Sequence, residues 1–345
     1  MKKRNVILAA DIGGTNASFG LVDISGKYPV IIHKARFDTK GSSDFSCLLG
    51  GYLNTMADDG FEAPKKACFA IAGPVEKNRG RLTNTELTVD AKEVIANSPL
   101  AEAIVINDFA AVSYAVPGLQ KKDLNIVKNG KKEPQGPIAV IGAGTGFGKS
   151  LLVWDNHTEG YAVAASEAGH CDLPAHTTEE LRFIEHTKKR LFQKEPAEWE
   201  TALSGRGLEN IYAYLKARRP ASGKGEQTEK IPGLRAEEIG ARRKTDPLCK
   251  ETFRWFETFY ARAAKNTALE NLATGGIYIA GGIVTKNQDM FTSMFNAEFM
   301  DSLRHKDLLK RIPVFSLKNN DASLIGCAIA MGSGGTKSNK GKKNR

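Results

Sequence analysis

The strongest constraint in this chain is a motif that occurs twice: an apolar run enters a glycine-rich turn and leaves as a second apolar run. VILAADIGGTNASFGLVDI (6–24) is the first copy and PIAVIGAGTGFGKSLLVW (137–154) the second. Each reads as a β-hairpin, with two strands closed by glycines. A third apolar strand, GGIYIAGGI (275–283), also runs into a glycine pair. Glycine reaches dihedrals that side chains forbid, so successive N–H groups of such a turn can surround phosphate oxygens closely. A duplicated phosphate-holding hairpin is the expected architecture.

Between these turns, ACFAIAG (67–73) and AIVIND (103–108) read as buried strands. FAAVSYAVPGL (109–119) has helical spacing until Pro117 stops it, and FRWFETFYARAAKNTALENLA (253–273) has the apolar stripe of a packed helix. Strands alternating with helices give an α/β class. A chain of 345 residues exceeds one ordinary core and predicts two domains. No apolar run reaches the roughly 20 residues of a bilayer helix, and the stretch from Val6 to Ala10 is too short for a signal peptide. A cytoplasmic protein without membrane contact is expected. The five cysteines form no CxxC pair, so they read as reduced thiols. The net charge of +10 is local: five Lys or Arg fall in the last nine residues, and others crowd ARRPASGKGEQTEKIPG (217–233). Neither stretch forms a nucleic-acid groove; both read as mobile, and 333–345 as a disordered basic tail.

Several residue groups could carry chemistry. Asp11, just before the DIGGTN turn (11–16), could hold Mg²⁺ through water. AGTGFGKS (143–150) matches a relaxed P-loop pattern, but a P-loop must open a helix, whereas SLLVWDN reads as strand. Asn107-Asp108 closes one apolar run and opens a helix, which puts a carboxylate at a strand's C-terminal end. Such an Asp can accept a proton from an alcohol during phosphoryl transfer, and it can equally cap the helix. Glu167 and His170 in ASEAGHCDLP, with Glu200 in EWETALSGRGL, suit the hydroxyls of a sugar. His170, Cys171 and His176 lack the further ligand a tetrahedral zinc site needs.

Taken together, DIGGTN (11–16), AIAGPV (70–75), TN (83–84), INDFAAVSYAVP (106–117), GAGTGFG (142–148), EAGH (167–170), ETALSGRGL (200–208) and AGGI (280–283) resemble, in order, the bacterial-type glucokinase family of the actin-like superfamily. The resemblance implies two actin-like (ribonuclease H-like) α/β domains around a hinged cleft. Their expected extents are 1–108 plus about 322–332, and 109–321. It implies ATP-dependent phosphorylation of glucose to glucose 6-phosphate with Asp108 as general base. Asn107, Asn84, Glu167, His170 and Glu200 would hold the sugar. Mg-ATP would lie on Ala10, Asp11, Ile12, Gly13, Gly14, Thr15 and Asn16, on Gly144, Thr145 and Gly146, and on Gly281 and Gly282. The same resemblance admits a homodimer.

Three features depart from the family pattern: Lys149 after the second turn, the expanded 217–233 stretch and the basic tail. The related zinc-containing sugar kinases and repressors carry a cysteine cluster after their EGH-like element, which LPAHTTEEL lacks. With about five residues ahead of the first strand, no DNA-reading domain is expected. The residues leave glucose, mannose, fructose and glucosamine open as substrates. An actin-like ATPase would keep the hairpins without needing Glu167, His170 and Glu200. Because Gly, Ser and Lys bury little apolar surface, deleting residues 336–345 should leave turnover within about twofold in a coupled kinase assay.

Overall fold

The computed structural model describes residues 4–40, 44–82, 86–191, 194–218, 233–318 and 321–332. Asn84, most of the 217–233 stretch and the 333–345 tail lie outside the described residues. The described residues fall into two compact units, one drawn from Met1–Gln120 and Asp321–Arg345, the other from Lys121–Asn320.

In the first unit, β1 (Val6–Ile12), β2 (Asn16–Asp23), β3 (Val30–Asp38), β4 (Lys66–Ile71) and β8 (Glu102–Asn107) form a sheet of order β3-β2-β1-β4-β8. β1 runs antiparallel to β2 and parallel to β4, which runs parallel to β8. β4 is covered on both faces, which explains its continuous apolar reading. On one face, α1 (Phe45–Asp58) buries Phe45, Leu49, Tyr52 and Met56 against Phe19 and Phe69; the Asp44 carboxylate starts this helix by accepting from the Ser46 N–H at 2.7 Å. A small sheet of β5 (Val75–Glu76), β6 (Arg79–Arg81) and β7 (Thr88–Asp90) leads into α2 (Ala91–Ala96). On the other face, α3 (Asp108–Ala115) and α12 (Ala322–Gly332) pack on Ile7, Ala9, Cys68 and Ala70. The two helices meet through small residues: a Cβ on Gly326 would lie 1.7 Å from the Ala111 carbonyl oxygen. That contact keeps α3 with the first unit, which continues past Asp108 to Gln120.

The second unit repeats the plan. β9 (Leu124–Lys128), β10 (Ile138–Ala143), β11 (Phe147–Asp155), β12 (Gly160–Ser166), β13 (Gly276–Ala280) and β14 (Val314–Leu317) take the order β12-β11-β10-β13-β14-β9. β10 has an antiparallel hairpin partner on one side and the parallel pair β13 and β14 on the other, the succession seen around β1. Helices α4 (Thr178–Leu191), α5 (Trp199–Ala202), α6 (Gly205–Ala217), α7 (Ala236–Arg242), α8 (Pro247–Glu270), α9 (Gly282–Lys286), α10 (Ser293–Phe299) and α11 (Lys306–Arg311) complete it. α8 begins at Pro247, ahead of the expected Phe253, because Asp246 caps it, accepting from Leu248 and Cys249 at 2.7 and 3.0 Å. Inside this unit Arg262 of α8 pairs with Glu180 at 3.0 and 3.1 Å and with Glu298 at 3.0 Å, joining α8 to α4 and α10. No described helix is long and apolar enough to cross a membrane.

Gly326→Ala should lower unfolding free energy by about 1–3 kcal/mol, since the new methyl meets helix backbone and cannot swing away. Gly50→Ala inside α1, where a Cβ meets nothing within 4 Å, should be neutral or stabilise by up to about 1 kcal/mol. Urea unfolding of the two variants checks the contrast.

Candidate active site

Parallel pairing collects one half of the expected residues at a single sheet edge. Ile12 of β1 lies opposite Ile71 of β4, and Ile71 opposite Asn107 of β8, so the three strands end in one row. The Gly13 turn, Gly73 and Asp108 follow directly. Gly13 N–H donates to the Asn16 carbonyl at 2.9 Å to close the turn, and Thr39 braces it, its hydroxyl donating to the Gly13 carbonyl at 2.9 Å. Gly13 and Gly14 have ordinary negative φ, so their value here is space: a Cβ on Gly14 would meet nothing within 4 Å. Ala10 and Ile12 have core side chains, leaving only their backbone to face a ligand. Asp11 accepts from the Ser323 hydroxyl of α12 at 2.6 Å. Burial pushes its carboxyl above the usual range, against the pull of Ser323, Lys34 and Arg36.

The helix cap belongs to Asn107 and not to Asp108. The Asn107 Oδ1 accepts from Phe109 and Ala110 N–H at 2.9 and 3.1 Å, and its amide donates to the Gly73 carbonyl at 3.3 Å. Asp108 is the first residue of α3, half-buried, with Oδ1 also 3.0 Å from the Phe109 N–H.

The other half lies within the second unit. The β10–β11 turn is closed by Gly144 N–H donating to the Gly146 carbonyl at 2.8 Å, and Gly205, opening α6, donates to the Gly144 carbonyl at 2.9 Å. Ser204 caps α6, accepting from Gly207 at 2.9 Å. A Cβ on Gly144 meets nothing within 4 Å, whereas one on Gly146 would strike Glu200 Oε2 at 2.4 Å. Glu200 sits on that glycine, accepts from the Phe147 N–H at 3.2 Å and pairs with Arg206 at 3.0 Å. Glu167 and His170 are exposed around the buried Gly169, whose Cβ position is filled by the Phe147 carbonyl at 1.7 Å. His170 Nδ1 lies 2.6 Å from Glu198. At the end of β13, Gly281 takes φ +98°, and its missing Cβ would lie 2.3 Å from the Ala143 carbonyl oxygen. Ala143 N–H in turn donates to the buried Tyr260 hydroxyl at 3.0 Å.

Lys149 is buried within β11, with Nζ 5.5 Å from the Trp199 ring centre. Burial holds its ammonium below the usual range. The helix a P-loop requires is replaced by a strand paired antiparallel with β10. Thr39, Ser323, Glu198, Arg206 and Tyr260 were not legible as site residues. Arg206 lies inside the quoted ETALSGRGL motif and Glu198 two positions before it; the other three had no local signal.

Within its own unit, each glycine turn leaves the Cβ side of its glycine open, at Gly14 and at Gly144. Among the described residues no three His, Cys, Asp or Glu side chains gather around a metal position.

A sequence model of the family described as Glucokinase matches residues 8–333. The protein named glucokinase from Nostoc punctiforme is 34% identical over 340 residues, which cover 94% of this chain and 98% of its own. A glucokinase structure from an Antarctic psychrotroph superposes with a TM-score of 0.78 at 30% identity, covering 95% of this chain and 98% of that one. The fold is shared with glucokinase from Balamuthia mandrillaris, solved in complex with glucose, at a TM-score of 0.78 and 22% identity over 95% and 94% of the two chains.

Gly146→Ala should cost about 1 kcal/mol of stability by pushing the Glu200 carboxylate aside, while Gly144→Ala should stay within about 0.5 kcal/mol. Thermal unfolding separates them; equal losses would show that the two glycines share one role.

Proposed function

Because this chain belongs to the glucokinase family and is an enzyme that phosphorylates glucose at the expense of ATP, we propose that Asp108 is its catalytic base. The observation that carries this reading is the division of labour at the end of β8. Asn107 supplies the cap, so the Asp108 carboxylate stands at the helix start without being the group that caps it. It lies in the row where the parallel strands end, two strands along from the Gly13 turn. There it would accept the proton of the attacking sugar hydroxyl as the phosphoryl group leaves ATP. The same capping atoms hold Asn107 in place for a sugar hydroxyl, and Asn84 is assigned to the sugar with it.

In this reading Glu167, His170 and Glu200 hold further hydroxyls. The Gly13–Gly14 and Gly144–Gly146 turns, with Thr15, Asn16 and Thr145, hold the phosphates through N–H and hydroxyl donors, and Gly281-Gly282 borders the nucleoside. Ala10, Asp11 and Ile12 contribute backbone and, at Asp11, a carboxylate for Mg²⁺. When bound, that ion supplies charge neutralisation on the phosphate oxygens. The repeated strand succession supports an actin-like fold, with a hinge as part of the same proposal. Five free thiols suit a reducing cytoplasm.

Asp108→Asn should lower kcat by roughly 10²–10⁴-fold while shifting the glucose KM much less, and should leave the melting temperature unchanged because Asn107 retains the cap. Asn107→Ala should instead cost about 1 kcal/mol of stability. A coupled assay over several hexoses, read with thermal melts, tests both; near-normal turnover in Asp108→Asn would transfer the base to another carboxylate.

A further inference from the structure

Glu198 has no place in the site as read so far, yet it touches one of its members and neighbours another. Its carboxylate lies 2.6 Å from His170 Nδ1. Its backbone is gripped on both sides: Asp172 and Glu198 form a β-bridge, Trp199 N–H donates to the Cys171 carbonyl at 2.9 Å, and Leu173 N–H to the Ala197 carbonyl at 2.7 Å. Glu198 also begins α5, where its N–H donates to the Thr201 hydroxyl at 3.1 Å and its carbonyl accepts from the Thr201 N–H at 2.9 Å. Two residues on, Glu200 sits on Gly146 of the hairpin turn. One rigid segment therefore sets both the His170 ring and the Glu200 carboxylate.

We propose that Glu198 is a positioning residue for sugar recognition, fixing the His170 imidazole through Nδ1 so that Nε2 is the nitrogen presented to a sugar hydroxyl. This rests on the reading of His170 as a sugar ligand. With Nδ1–H donating to a carboxylate, the ring cannot turn and its tautomer is set. The charged groups around it act in one direction. The Glu198 hydrogen bond raises the His170 pKa above 6.5, burial opposes it, and the charges of Glu198, Glu200 and Glu167 add to the rise. Arg206 also faces this cluster, paired with Glu200 at 3.0 Å. The imidazolium thus persists to higher pH than in an ordinary histidine. In that form Nε2 carries a hydrogen and donates to the sugar; above the folded pKa it becomes an acceptor only. Glucose affinity is expected to weaken as pH climbs through that value.

The test compares the full chain with Glu198→Gln, which preserves size and an acceptor but removes the charge. The His170 ring is titrated by NMR without substrate, and glucose and ATP KM are measured from about pH 5 to about pH 9. In Glu198→Gln the His170 midpoint should move to lower pH, and the rise in glucose KM should move with it, giving roughly a three- to tenfold higher KM at neutral pH with ATP KM unchanged. An unchanged midpoint would overturn the pairing. A native glucose KM that follows the His170 titration, with a Glu198→Gln profile that does not shift, would overturn the positioning role alone. A native glucose KM that ignores both the titration and His170→Ala would instead remove His170 from the sugar site, and this inference with it. Glu198→Ala, which takes away the acceptor as well, should exceed Glu198→Gln in its effect; a smaller effect would count against a hydrogen bond.

Discussion

The in-register parallel pairing of β1, β4 and β8 is the constraint on which the first unit's chemistry depends. Side chains alternate along a strand, so a slip of one residue would turn Asp11 and Asn107 to opposite faces from those they occupy. The register instead aligns Ile12, Ile71 and Asn107, and every segment that follows those residues emerges at one edge. Burial of β4 on both faces, between the α1 layer and the α3–α12 layer, makes such a slip costly. The sheet is therefore a positioning device for a turn, a cap and a carboxylate.

In the second unit, close backbone approach plays the corresponding part. Gly169 lies against the Phe147 carbonyl and Gly281 against that of Ala143, each at a separation no Cβ tolerates, while Gly146 lies beneath the movable end of the Glu200 side chain. These contacts draw the EAGH turn, the end of β13 and the start of α5 onto the β10–β11 hairpin. Space, and only at Gly281 a positive φ, is what glycine provides here. At Gly14 and Gly144 the same absence of a side chain leaves room that no protein atom fills.

Four of these carboxylates stand in different surroundings. Asp11 is pushed toward protonation by burial. Glu200 is paired with Arg206, and Glu198 with His170. Asp108 accepts from the Phe109 N–H at the start of α3. Like side chains thereby stand in unlike surroundings, from which the proposed roles follow.

What the sequence by itself determined was local: the two hairpins, the glycine turns, the strands around 67–73 and 103–108, and the residue types that could hold phosphate or sugar. Those signals arise from alternation, helical spacing and turn chemistry, which act over a few residues. They extended to Asn107-Asp108 as a pair but could not divide the cap from the carboxylate, because both residues cap well and the choice turns on backbone angles at the strand's end. Tertiary structure alone decided that Ser323 would reach Asp11 across 312 positions of chain, that Thr39 would brace the first turn, and that Lys149 would lie buried against Trp199. Each of these depends on which strands pair and which helices cover them. Pairing is a property of the closed chain, written into no single stretch of it.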